Sequence, residues 1–364
     1  MGSILICQDW DMSRIGQKIK DWMLPIAMLT GASIYLVYHA LPASFHKAGP
    51  FLSDFVGILQ PCLIFSMLFL TFCRIEPRDL KPHRWHIWLL LIQGGSFTLL
   101  GLAAYSILRW MPEGHHDWVI LIESAMLCLI CPTATAAAVV TRKLGGDVAG
   151  ITTYTVLINM VVALLVPLIV PMIQPVEGLS FFIAFSMILA KVFPLLILPC
   201  LAAWLVRYLL PGLHRRLLEY PDLAFYIWAV SLTLAITVSV KYLMASTLGL
   251  GIIGLMALAS LVCCALQFGL GRYVGNQYRP RRQKTALTEG GQPVTESGCD
   301  AMIFRGKRIR KVTAGQALGQ KNTVFAIWMA YTFMTPETAI IGGLYSIWHN
   351  LFNSWQLYHA GRSA

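Results

Sequence analysis

One lysine lies where a charged side chain is costly. Lys321 sits in the stretch GQALGQKNTVFA, within a run of otherwise apolar residues long enough to cross a bilayer. Charged residues at membrane depth are expensive and usually serve an ion, a substrate or a proton path. Gln320 and Asn322 add polar groups on either side, so this patch predicts a binding site. The alternative is that the span begins after Lys321, whose side chain then reaches the cytoplasmic surface.

A second apolar run is interrupted by the stretch CPTATAAA, residues 131–138. Pro132 has no amide proton and breaks the hydrogen-bond ladder of a helix, while Thr133 and Thr135 supply hydroxyls. Unwound backbone at membrane depth is tolerated only where it is buried in protein or lines a cavity. The two interrupted stretches therefore predict one shared site, with an ordinary proline kink as the alternative for the second.

Three further polar residues occupy apolar runs. Gln93, in LLIQGG, either lines the same cavity or only hydrogen-bonds another helix. His349 and Asn350, in SIWHNLFNSW, either contribute to the site or act as interhelical donors. Because no acidic residue is predicted at the depth of Lys321, its counter-charge must come from backbone carbonyls, a helix C-terminus or the substrate. This pattern favours an anionic substrate.

The composition predicts that membrane-spanning helices position these residues. Of the 364 residues, 57% are hydrophobic and 12% are charged, against roughly 25% charged in soluble proteins. Ten stretches are long enough to span a bilayer, and the sixth is predicted to tilt or kink at Pro194 and Pro199. The predicted spans are 22–41, 51–73, 86–108, 118–141, 147–173, 179–209, 222–244, 248–271, 314–335 and 338–359.

The lysines and arginines that give the net charge of +11 lie mostly on one side of the predicted membrane. With residues 1–21 placed in the cytoplasm, only Lys47, Arg109 and Lys241 of the 28 lysines and arginines fall in outer loops. This asymmetry predicts a multi-pass protein of the inner (plasma) membrane with both termini cytoplasmic, and it argues against a nucleic-acid partner. Residues 272–313 are predicted to form a basic cytoplasmic loop that either contacts anionic membrane lipid or only serves as a tether.

The ten spans divide into two halves, a first five-helix repeat over residues 22–173 and a second over 179–359. An odd number of spans per half gives the halves opposite orientations, as in inverted-repeat transporters. The two interruptions then fall in the fourth helix of each half. The fold class predicted is all-α, with ten transmembrane helices in two inverted repeats.

Motifs of other functional classes are absent from the sequence. There is no Walker A sequence, which argues against ATP-driven transport, and no GxSxG or HExxH motif of a hydrolase. The nine cysteines lie mostly in or beside apolar runs, and a single CxxC does not make a metal site. We therefore expect neither an enzyme nor a bound metal or cofactor.

Three stretches resemble the bile acid:sodium symporter family: CPTATAAAVVTRKLGGDVA, GQKNTVFA and WHNLFNS. The resemblance implies ten helices in two inverted repeats, with helices four and nine crossing where they are unwound. It also implies a core domain of spans 3–5 and 8–10 and a panel domain of spans 1, 2, 6 and 7.

The sequence departs from this family at its sodium ligands. The positions of the family's Ser-Asn pair hold Ala137 and Ala138, its Glu position holds Ala317, and a Gln position holds Lys321. Other polar family positions are kept, at Thr135, Asn322 and Gln93. The resemblance thus implies a secondary transporter of a small organic anion working by alternating access, in which Lys321 replaces a bound sodium ion.

Coupling and oligomeric state stay open at this point. Sodium coupling is not expected, whereas proton coupling, uniport and exchange all remain compatible with Lys321. The alternative class of function is a membrane-embedded sensor or another non-transporting protein on the same fold.

Overall fold

A computed structural model describes Met23 and residues 25–110, 116–175, 178–220, 222–278 and 296–362. Within these ranges the regular structure is helical, apart from one isolated bridge between two residues. Helices satisfy every backbone polar group within one segment, which is what an apolar bilayer requires. The all-α prediction is confirmed for this part of the chain.

The helices are numbered in chain order. Short 3₁₀ turns occur at Pro77–Asp79 and Pro336–Thr338. The helix bounds are α1 (25–40), α2 (Ala43–His46), α3 (Gly49–Cys73), α4 (Arg84–Trp110), α5 (His116–Ile130), α6 (Ala137–Lys143), α7 (Val148–Ile173), α8 (Phe181–Leu196), α9 (Leu198–Leu209), α10 (Pro211–Leu218), α11 (Leu223–Ala245), α12 (Leu250–Gln277), α13 (Glu296–Gly319), α14 (Thr323–Phe333) and α15 (Ala339–Arg362).

Six helical segments of the described chain are long and apolar enough to cross a membrane. Five of them are α3, α4, α7, α11 and α12, and the sixth is formed by α8 and α9 together. The protein is therefore a multi-pass membrane protein. The predicted spans 118–141 and 314–335 are each divided by a break, which leaves apolar pieces too short to cross alone, and residues 22–41 lie partly outside the described residues.

The sixth predicted span is interrupted between its two prolines. Helix α8 ends at Leu196 and α9 begins at Leu198, with Ile197 between them. Pro199 lies in the first turn of α9, where a missing amide proton is tolerated. The helix is therefore interrupted between Pro194 and Pro199, where the sequence predicted a tilt or kink.

The prediction of a loop over residues 272–313 was wrong at both ends. Helix α12 continues to Gln277, and α13 is helical from Glu296 onwards. Lysine and arginine favour helices, so a basic, polar composition does not by itself exclude one. The central residues 279–295 and the predicted N-terminal segment 1–21 lie outside the described residues.

Two glycines let α12 pack directly against the backbone of α13. A Cβ atom at Gly275 would lie 2.5 Å from the carbonyl oxygen of Arg310, and one at Gly271 would overlap the carbonyl oxygen of Ala314. Neither contact can be relieved by rotating a side chain, because both involve backbone atoms. The close approach of these two helices thus depends on the missing side chains.

We expect Gly271→Ala to lower the melting temperature of the detergent-purified protein, because overpacking a helix contact typically costs about 1–3 kcal/mol. Gly269→Ala is the matched control, since a Cβ at Gly269 on the same helix meets nothing within 4 Å. There the added methyl removes a glycine from a helix interior and stabilises by about 0.5–1 kcal/mol. Equal melting temperatures for the two variants would contradict this description of the packing.

Candidate functional site

The two interrupted stretches lie against each other. The amide of Ala134 donates to the carbonyl of Gln320 at 2.9 Å, and the amide of Asn322 donates to the carbonyl of Pro132 at 2.8 Å. These bonds make Thr133 and Lys321 an isolated antiparallel bridge. The predicted approach of residues 131–136 to 317–322 is confirmed, and we call this contact the crossing.

Local sequence explains where each helix stops and resumes. Pro132 follows the end of α5 and cannot donate to a helical ladder. At the end of α13, a side chain on Gly319 would overlap the ring of Phe268. Asn322 then starts α14, because its Oδ1 accepts the amide of Phe325 at 3.2 Å as a helix N-cap.

The carbonyls freed at the end of α5 are bound by side chains from other helices. Gln93 on α4 donates through Nε2 to the carbonyls of Ile130 at 3.0 Å and Cys131 at 2.8 Å. Gln267 on α12 donates to the carbonyl of Cys128 at 3.1 Å. Buried carbonyls are rarely left unpaired, so these glutamines hold the break in its unwound form.

Lys321 binds the same helix end. Its side chain is 1% exposed, and its Nζ donates to the carbonyl of Leu129 at 3.1 Å. The C-terminus of a helix carries partial negative charge, which favours an ammonium there. Lys321 forms no ion pair with any residue in the described ranges. A cavity of about 10 Å³, about the size of one water molecule, lies beside it and is lined in part by Cys131, Thr323 and Tyr345.

The backbone carbonyls at the end of α13 also accept hydrogen bonds from side chains of other segments. The hydroxyl of Thr133 donates to the carbonyl of Ala317 at 2.7 Å, and the hydroxyl of Tyr345 donates to the carbonyl of Gly319 at 2.8 Å. Gln267 also donates to the hydroxyl of Tyr345 at 3.2 Å. The two helix ends therefore share a hydrogen-bonded framework.

Most of the residues predicted from the sequence converge on the crossing: Gln93, Thr133, Gln320, Lys321 and Asn322 are all buried there. Thr135 lies in the same unwound segment and is half-buried. These positions share one small volume although they come from three separate parts of the chain.

The two predicted residues of α15 differ from each other. The His349 ring lies 5.6 Å from that of Tyr345, next to the crossing, and its buried Nδ1 has no hydrogen-bond partner in the described structure. Asn350 donates to the carbonyl of Ser346 on its own helix at 2.6 Å. Asn350 therefore faces its own backbone, and His349 is the better placed to meet a ligand.

A layer of buried amides extends from the crossing along α13 and α15. Gln316 donates to Oδ1 of Asn353 at 3.0 Å, and Arg272 donates to Oε1 of Gln356 at 2.5 Å. Polar atoms of Gln316, Gln320, Asn322, Asn353 and Gln356 are buried without a partner among the described residues. Such atoms are costly unless water or a ligand binds them, so this layer is a candidate position for bound water or a polar solute.

Sequence reasoning missed two members of the framework. Gln267 is a lone amide within the apolar run of α12, and the reasoning applied to Gln93 would have identified it. Tyr345 gave no signal, because tyrosine is common in membrane helices and only its hydroxyl contacts the break.

Glu123 lies apart from this site. It is fully buried, and its Oε1 accepts the side-chain amide of Gln174 at 2.6 Å. Its Oε2 accepts the backbone amide of Thr335 at 3.2 Å. The carboxylate thus connects α5 to the end of α7 and to the segment that follows α14.

Comparison with known families identifies the family of the chain. Residues 61–249, more than half of the chain, match the model of the Sodium Bile acid symporter family. The matched segment contains Gln93 and the whole of the first break. No curated protein matches the chain. The protein therefore belongs to the sodium bile acid symporter family, whose members are transporters and not enzymes.

Proposed function

We propose that the protein is a secondary transporter that carries a small organic anion by alternating access, with Lys321 as a built-in positive charge at the binding site. The observation that carries this proposal is the burial of Lys321 at the crossing without an ion pair among the described residues. Its membership of a transporter family supports the reaction class.

The chemistry of the ammonium favours an anion. An ammonium has three donors, and one of those of Lys321 goes to the carbonyl of Leu129. A neutral carbonyl compensates only part of the cost of burying a charge. A carboxylate or sulfonate bound here would supply the missing charge, and the free polar atoms of Gln320 and Asn322 would bind the rest of the solute.

The same residues disfavour sodium. Sodium is a hard cation and needs several oxygen ligands, whereas Ala137 and Ala317 present buried methyl groups at positions where the family has ligands. An ammonium nearby would also repel a second cation. We propose that Lys321 takes the place of the sodium charge, which leaves proton coupling, uniport or exchange as the mode of transport.

We further propose ten transmembrane helices in two inverted repeats, residues 22–173 and 179–359, with spans 3–5 and 8–10 as the core. The support is the matched position of the two breaks and the hydrogen bonds between them. Alternating access would then move the other four spans relative to a core that contains the crossing.

We propose that the protein lies in the inner (plasma) membrane. In this topology both termini and Cys299 are in the cytoplasm. In a variant whose only cysteine is Cys299, we expect an impermeant maleimide to label inside-out vesicles but not intact cells. Labelling of intact cells would reverse the proposed orientation.

Uptake into proteoliposomes tests the proposed function. Labelled carboxylates and sulfonates of increasing size are offered beside cationic and neutral analogues, with proton gradient and membrane potential set separately. The proposal predicts saturable uptake of at least one anion, with competition among anions alone. Uptake restricted to cations or neutral solutes would refute it.

A further inference from the structure

A groove lies away from the crossing, between the first turns of α4 and the last turns of α12. Its volume is about 840 Å³, within the range of ligand pockets. None of its lining residues belongs to either helix break. The groove is therefore separate from the proposed transport site.

The wall of the groove is exposed on two helices that are long and apolar enough to cross a membrane. Helices α4 and α12 are both candidate spans, and Trp88 and Tyr273 in its wall are each 61% exposed. Tryptophan and tyrosine favour the boundary between hydrocarbon and headgroups, where one part of the ring system is dry and another is wet. The preference of these two rings therefore favours a groove that lies at this boundary.

Polar and apolar groups are separated along its length. Arg84, the first residue of α4, and Gln277, the last of α12, lie at the end of the groove. Ile92 and Leu270 line it two turns further into the helices. A ligand with a polar head and an apolar tail matches this arrangement better than a uniformly polar solute does.

The charge at the polar end is positive. Arg84 is exposed and forms no ion pair within the described ranges. Arg84 is the one charged residue among those that line the groove in the described part of the chain. The carboxylate of Asp147, at the same end of the molecule, already accepts the amide of Gly150 at the start of α7. A guanidinium in these surroundings is suited to a phosphate.

We propose that this groove binds one anionic phospholipid, with its phosphate at Arg84 and its acyl chains along Ile92 and Leu270. The bound lipid would contact α4, which carries Gln93, and α12, which carries Gln267. Since both glutamines hold the break in α5, occupancy of the groove is expected to stabilise the folded transporter.

Native mass spectrometry and thermal melting of the delipidated full-length protein test the proposal. Phosphatidylglycerol should bind in a saturable 1:1 adduct and raise the melting temperature, whereas phosphatidylcholine should give weaker binding. Glycerol 3-phosphate tests the phosphate headgroup without acyl chains, and it should not raise the melting temperature to a comparable extent. Equal effects of the two lipids would show ordinary bulk lipid contact, and an equal effect of glycerol 3-phosphate would show a simple phosphate site; either result would overturn the proposal.

Variants localise the effect. Arg84→Gln should weaken phosphatidylglycerol binding by about tenfold or more, as expected for loss of a hydrogen bond to a charged group, and Arg84→Lys should retain part of it. Arg109→Gln is the matched control, because Arg109 is an exposed arginine at the other end of α4. If Arg84→Gln binds the lipid as the unchanged protein does, the groove is not the site.

Discussion

Lys321→Met is expected to abolish anion uptake or weaken it sharply while leaving the protein folded. Loss of a charge-assisted hydrogen bond costs about 1.5–3 kcal/mol, which is a ten- to hundredfold loss of anion affinity at about 1.4 kcal/mol per tenfold. Folding should survive because methionine matches the shape of the side chain, and removing a buried charge offsets the loss of the bond to the Leu129 carbonyl. Initial uptake rates in proteoliposomes and melting temperatures measure the two effects separately.

Lys191→Met is the matched control for this experiment. Lys191 also lies within an apolar helix, but it is exposed, and its Nζ lies 5.7 Å from the ring centroid of Phe333. We expect its substitution to leave uptake largely intact, and Lys321→Arg to retain part of the activity because the charge is kept. Unchanged uptake by a folded Lys321→Met protein would show that Lys321 does not serve the substrate.

Gln93→Leu is expected to destabilise the protein severely. The substitution leaves the buried carbonyls of Ile130 and Cys131 without their donor, at about 1–3 kcal/mol each. This is a large share of a total stability that is commonly about 5–15 kcal/mol. A low yield of monodisperse protein and a lower melting temperature in detergent should both be observed.

Tyr154→Phe provides a graded comparison. The Tyr154 hydroxyl donates to Oε1 of Gln93 at 2.8 Å, so its loss frees one acceptor and leaves both bonds to the break in place. We expect a smaller loss, about 1 kcal/mol, typical of one hydrogen bond. If Gln93→Leu is no less stable than Tyr154→Phe, the glutamine does not hold the break.

The two breaks were predictable from the sequence because prolines and charged side chains are costly inside a membrane-spanning helix. Pro132 cannot continue a hydrogen-bond ladder. Burying the charge of Lys321 in a membrane costs free energy, so such residues are rare and usually functional. The contact between the two breaks was predicted from their matched positions in the two proposed repeats. These inferences depended on rare residues in an otherwise uniformly apolar background.

The partners of each side chain could not be predicted in the same way. Gln93 was recognised as a candidate for the site, but only the structure shows that its amide binds the carbonyls of the break. The helical continuation over residues 296–313 was missed because a polar, basic segment has no apolar period that would indicate a helix. Tyr345 was missed because its role depends on where one hydroxyl lies in three dimensions.

The burial of Glu123 shows a further limit of sequence reasoning. The position of a carboxylate along an apolar run does not show which other parts of the chain cover it. Its actual environment is set by Gln174 and Thr335, from distant parts of the chain. A polar residue near a predicted helix end can therefore be as buried as one at its centre.

The most direct test of the central claim is the sodium dependence of anion uptake by the reconstituted protein. Sodium is exchanged for choline on both sides of the membrane at constant ionic strength, and the initial rate is measured as sodium is added back. Because we propose that Lys321 supplies the positive charge, and because the side chains of Ala137 and Ala317 have no oxygen atoms, the rate is predicted to stay constant across the titration. A saturable rise of the rate with sodium, or uptake driven uphill by an inward sodium gradient, would contradict the account.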